Sequence, residues 1–75
     1  MLIILDGRII NYHLIQFIDT SAPNADGTID VVNKDATGGV LQILDTKPNL
    51  EDAIEYVNKL SDKLVEANFE VVDAR

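Results

Sequence analysis

His13 is the single histidine of the chain, and 13 acidic residues stand against six basic ones. An imidazole that serves as a base or a metal ligand needs a carboxylate, a nucleophile or further ligands beside it. The neighbours of His13 are Tyr12 and Leu14, and Asn11 and Ile15 share its face in an extended chain, so nothing local activates it. The absence of cysteine removes thiol catalysis, a zinc knuckle and a disulfide scaffold. Thr37-Gly38-Gly39 has the glycines of a phosphate cradle, but it leads into a β pattern rather than a helix. No lysine follows at P-loop spacing. A hairpin turn explains it. Paired carboxylates do acid–base work only in a cleft that shifts one pKa. A 75-residue chain with one helix leaves little room for such a cleft. The expectation is a protein without catalytic residues, cofactor or metal.

One loop, Ala22 to Ile29, merits comparison with a calcium-binding loop. With Gly27 as the turn glycine, Asn24 and Asp26 fall at two ligand positions and Ile29 at the apolar one. Ala22 and Asn33 stand where the first Asp and the bidentate Glu belong, so both ends of the cage are missing. The segment reads as an Asx turn entering a strand. Weak calcium binding by Asp19, Asn24, Asp26 and Asp30 is the competing expectation.

The elements that position these residues are readable from periodicity. Asp6-Gly7 sits between two aliphatic runs and is a strong hairpin signal. The register it implies sets Leu5 opposite Arg8, Ile4 opposite Ile9 and Ile3 opposite Ile10. A second strand is expected over Ile9–Ile18, with a helix there as the alternative, because Ile9, Ile10, His13, Leu14 and Phe17 could also form a helical stripe. Residues 19–27 form a turn-rich surface loop. Strands over Thr28–Asn33 and Gly39–Asp45 make a second hairpin, closed by the turn at Lys34–Gly38. Leu50, Ala53, Ile54, Val57, Leu60, Leu64 and Ala67 recur at three- and four-residue spacing, which predicts a helix over about 50–67. Asn49 is its N-cap, Glu51 and Asp52 suit its first turn, and Asn68 with Phe69 closes its end. A short strand over Glu70–Asp73 follows.

The expected fold is therefore α+β: a two-layer sandwich with order β-β-β-β-α-β. One helix packs on a mostly antiparallel sheet, in a single domain spanning 1–75. The last strand is expected beside the fourth or a neighbour of it, and a parallel crossover of this kind is right-handed.

Ile, Leu and Val supply 24 residues, too many for a disordered acidic tail. The net charge of −7 argues against direct nucleic-acid binding, which normally uses a basic patch. Asp6 interrupts the apolar start, no basic residue precedes it, and no run approaches a membrane span. A cytoplasmic protein with no membrane partner is expected.

A surplus of aliphatic residues falls on Ile9–Ile18. In one continuous strand, Ile10, Tyr12, Leu14, Gln16 and Ile18 share a face, and neither face is cleanly polar. One helix covers only one sheet face, so the other needs a partner, and a twofold homodimer is the simplest. The expected interface residues are Ile10, Tyr12, Leu14 and Ile18, with Tyr56 on the helix as a second anchor for a protein partner. The leading expectation is a small non-enzymatic interaction or regulatory module that self-associates. One alternative is an acidic inhibitor or nucleic-acid mimic that covers a basic protein surface. Another is an enzyme subunit with a composite site.

Overall fold

The computed structural model describes residues 1–11, 16–67 and 69–75. Six strands and one helix follow in order: β1 (Leu2–Leu5), β2 (Arg8–Asn11), β3 (Gln16–Thr20), β4 (Ile29–Lys34), β5 (Val40–Lys47), α1 (Leu50–Glu66) and β6 (Val71–Asp73). They form one mixed sheet ordered β5-β4-β3-β2-β1-β6, with the helix packed on one face. This is the expected α+β class, with one strand more than expected.

The first hairpin has the register that its turn implies: Leu5 faces Arg8, Ile4 faces Ile9 and Ile3 faces Ile10. Gly7 adopts φ +70°, a left-handed conformation that costs glycine nothing. The turn is docked rather than free. Gly7 donates its N–H to Asn58 Oδ1 at 3.0 Å, and Asn58 Nδ2 donates to Asp6 Oδ1 at 2.7 Å. A methyl group on Gly7 would meet Ile54 Cγ1 at 2.9 Å.

The single strand expected over Ile9–Ile18 is a correction. β2 and β3 pair antiparallel, with Ile9 opposite Ile18, Ile10 opposite Phe17 and Asn11 opposite Gln16. Residues 12–15 contain no Gly, Pro, Asn or Asp to mark a break between strands. The second correction concerns β6. It joins the far edge, parallel to β1, with Leu2 opposite Val71 and Ile4 opposite Asp73. The helix therefore carries the chain from the β5 edge across the sheet to the opposite edge.

The core lies under the helix. Ile9, Ile29 and Val31 of the sheet meet Ala53 and Val57, with Ile18, Leu44, Tyr56, Leu60 and Leu64 packed around them. Ile4 and Ile9 are cross-strand partners on this same side. Ser61, also buried, donates its hydroxyl to Val57 O at 2.9 Å, which settles its polar atom inside the helix. The N-cap is as expected: Asn49 Oδ1 accepts the Asp52 amide at 2.8 Å. At the other end the Phe69 amide donates to Leu64 O at 3.3 Å, a 6→1 closure. The Phe69 ring does not pack back, since the residue stays 56% exposed. Asn68 lies outside the described residues.

Candidate functional site

The uncovered side of the sheet is built by strand alternation. Opposite residues share a face, so the register places Val72, Ile3, Ile10, Phe17 and Lys34 in one row across five strands. A second row runs from Leu5 and Arg8 to Asp19, Val32 and Ile43. Ile3, Ile10 and Phe17 are half-buried, and Val72 is 48% exposed. At the β5 edge two register shifts matter. Asn33 faces Gln42 while Lys34 faces Val40, so Leu41 is an extra residue in the ladder. Two apolar residues, Val40 and Leu41, thus stand against one residue of β4. Both are exposed, as is Ile43.

A charged group interrupts this apolar field. Arg8 Nη2 and Nε donate to Asp19 Oδ2 at 2.6 and 3.1 Å, and Lys34 Nζ lies 3.5 Å from the same oxygen. Asp19 Oδ1 accepts the Thr20 amide at 2.8 Å. Burial alone would raise the Asp19 pKa. The Arg8 hydrogen bond, the Thr20 amide and the charges of Arg8 and Lys34 outweigh it and hold the carboxyl below its usual range. Asp19 is thus a fixed anion. A proton donor at neutral pH needs the opposite shift. Beside it lies an open hollow of about 330 Å³ lined by Arg8, Phe17, Lys34 and the β4–β5 turn. In that turn Asp35 Oδ1 accepts the Thr37 amide and hydroxyl and the Gly39 amide. Its pKa is lowered chiefly by the Thr37 hydroxyl and the Gly39 amide, so its charge serves the turn.

The calcium candidates of the Ala22–Ile29 loop are engaged elsewhere. Asp26 Oδ1 accepts the Thr28 amide and hydroxyl at 3.0 and 2.6 Å, as an Asx turn requires. Asp30 accepts the Thr46 hydroxyl at 2.7 Å, and Asp19 is held by its two cations. Among the described residues no three metal-ligating side chains gather.

The expected interface residues separate. Ile10 lies on the uncovered face. Ile18 does not, because its partner is Ile9, and it packs against the core under the helix. Tyr12, Leu14 and His13 lie outside the described residues. Tyr56 sits on the helix flank nearest β5, half-buried, with Lys47 Nζ 5.1 Å from its ring centroid. The residues that sequence reasoning missed are Phe17, Ile3 and Val72. Ile3 had a signal, since the Asp6-Gly7 register already sets it beside Ile10. Phe17 had none while β2 and β3 were read as one strand.

No helix among the described residues is long and apolar enough to cross a membrane. No family model, no curated protein and no solved structure matches the chain.

Proposed function

We propose that the protein is a small non-enzymatic interaction module that self-associates through the uncovered face of its sheet. The observation that carries this reading is the apolar row of Val72, Ile3, Ile10 and Phe17, with the exposed Val40 and Ile43 beyond the Arg8–Asp19–Lys34 group at the β5 edge. An antiparallel sheet with one helix layer normally shows water a polar face, and a contiguous apolar one marks an interface. A standard interface takes about 800 Å² from each partner. The broad side of a body measuring 37 × 24 × 17 Å is large enough to supply it.

Charge favours a second copy on this side. Two chains of net charge −7 repel, so they meet best where acids are balanced. On the uncovered face Arg8 and Lys34 offset most of the charge of Asp19, Asp30 and the turn residue Asp35. The exposed acids Glu51, Glu55, Asp62 and Glu66 lie on the helix, in the other layer. The acidic-mimic alternative would rest on those helix acids, since Asp26 and Asp35 close turns and Asp73 pairs with Arg75.

Sedimentation across a wide concentration range tests the reading. The wild-type chain should show a dimer mass, and Phe17→Ser should sediment as a monomer with an unchanged helix signal in circular dichroism. A wild-type chain that stays a strict monomer at the highest concentration would overturn it.

A further inference from the structure

The helix flank facing β5 offers a second surface, independent of the sheet face. Residues 56, 59, 60 and 63 are spaced i, i+3, i+4 and i+7, so Tyr56, Lys59, Leu60 and Lys63 form one stripe. Lys47, from the end of β5, places its ammonium over the Tyr56 ring. Three of the six basic residues of an acidic chain thus line the two hollows along this flank. Two hollows meet at Tyr56 and Lys59. One, of about 230 Å³, lies towards Lys47 and Pro48 and is also lined by Asp52 and Glu55. The other, of about 250 Å³, is lined by Tyr56, Lys59, Leu60 and Lys63 and by no acid.

We propose that this second hollow is a docking groove for an acidic peptide segment of a partner protein, one that carries an apolar side chain next to its carboxylates. The floor is fixed, since Tyr56 and Leu60 both pack against the core. The rim is cationic. Lys59 is held by Glu55 at 3.1 Å, while Lys63 makes no ion pair among the described residues. The helix dipole explains a lysine in the last turn, but not a second lysine, Lys59, lining the same hollow. Two exposed lysines give a free anion little, because each such pair is worth about 1 kcal/mol or less. An apolar side chain laid on Tyr56 and Leu60 between the lysine stems supplies the rest.

The net charge of the chain does not forbid this. Glu51 lies 12 residues before Lys63, about 18 Å along the helix at 1.5 Å per residue. That exceeds the screening length of about 8 Å at physiological salt. Among the described residues Glu66 is the nearest acid without an ion pair, and Lys63 offsets it one for one, with Glu55 and Asp62 already paired to Lys59 and Arg75.

The test is a titration of the isotope-labelled chain, followed by amide chemical shifts, with a short peptide of alternating Glu and Leu. A Lys–Leu peptide and inorganic phosphate serve as the other two probes. The expected result is shifts confined to residues 56–63 with the Glu–Leu peptide alone, reversed by high salt. Lys63→Glu, which is exposed and should leave the helix signal intact, should weaken binding about fivefold, the equivalent of one exposed ion pair. The proposal fails if the Glu–Leu peptide causes no localised shifts or the Lys–Leu peptide acts equally. It also fails if Lys63→Glu has no effect, or if phosphate alone reproduces the shifts, which would mean a simple anion site. Phe17→Ser should bind the peptide normally, so loss of self-association leaves this result readable.

Discussion

Val31 and Val32 are neighbours on β4 and point to opposite sides of the sheet, yet both are buried, at 0% and 2% exposure. Val31 is enclosed by another layer, the helix residues Ala53 and Val57. Val32 has no such layer, and its cross-strand partners are Asp19 and Ile43. The same side of the sheet is far more open at its other edge, where Val72 is 48% exposed. The two sides differ in what completes them. The covered side is finished by the chain itself, while the other is finished only locally, around β4. An apolar surface completed within one chain stabilises the fold at any concentration. One left incomplete makes stability depend on what else is present.

The comparison breaks most visibly at the turns that flank the covered side. Gly7→Ala must place an alanine at φ +70° and push against Ile54, and it should cost about 2–4 kcal/mol from left-handed strain plus overpacking. Gly27→Ala, at φ +85° with nothing within 4 Å of its added carbon, should cost only about 1–2 kcal/mol. Urea denaturation of both variants measures the difference. Equal losses would mean that Ile54 yields freely and that the docked turn is not part of the packing.

A core deletion comes next. Val31→Ala should lower stability by about 2 kcal/mol at every protein concentration. Phe17→Ser should instead abolish the rise of the melting temperature with concentration, while costing the dilute protein less than about 1 kcal/mol. Thermal melts at several concentrations separate the two behaviours. If Phe17→Ser unfolds the dilute chain, the uncovered side is a core after all.

Acid titration gives a smaller effect. The pKa of Asp19 is lowered in the folded chain, so its contribution is present above the unfolded value of about 3.9 and is lost as pH falls through the folded value. Below about pH 4 the unfolded chain takes up the proton first, which draws the equilibrium towards it. Asp19→Asn should flatten the pH dependence of stability in this window, as read by denaturant midpoints. A variant with the same acid slope as the wild type would remove Asp19 from the account. The smallest effect expected is that of Glu55→Ala, which breaks an exposed i,i+4 pair with Lys59 and should cost no more than about 0.5 kcal/mol.

The pattern of what could be read in advance follows the range of each signal. Asp6-Gly7 and the helical spacing of Leu50, Ala53, Val57, Leu60 and Leu64 act within a few residues, and both were legible. The break between β2 and β3 was not, because Tyr12-His13-Leu14-Ile15 lacks the residues that mark turns. That omission also reversed the side assigned to Ile18, since side-chain facing alternates with every residue along a strand. The apolar surplus expected over Ile9–Ile18 divides: Ile9 and Ile18 belong to the core and Ile10 and Phe17 to the uncovered side, with residues 12–15 outside the described residues. The place of β6 next to β1 and the register shifts of β5 depend on pairings far apart in sequence, and no local pattern carries them. Of the expected site, Ile10 lies on the uncovered face; Ile3 beside it was missed although the hairpin register implied the pairing, and nothing local marked the Arg8–Asp19–Lys34 group.

The pairing of β1 with β6 has a kinetic side. The five strands from β1 to β5 pair with their sequence neighbours, so each ladder can form after closing only a short loop. The β6 ladder instead joins Leu2 to Val71 and must wait for nearly the whole chain between them. Arg75 then locks it, donating to Asp73 in the strand and to Asp62 and the Asn58 carbonyl in the helix. The last strand to arrive is also the shortest, and beyond its ladder with β1 it is tied to the helix through Arg75, so it should be the first to leave. Hydrogen exchange should show the β1–β6 amides opening before those of the meander, with Arg75 acting as the latch.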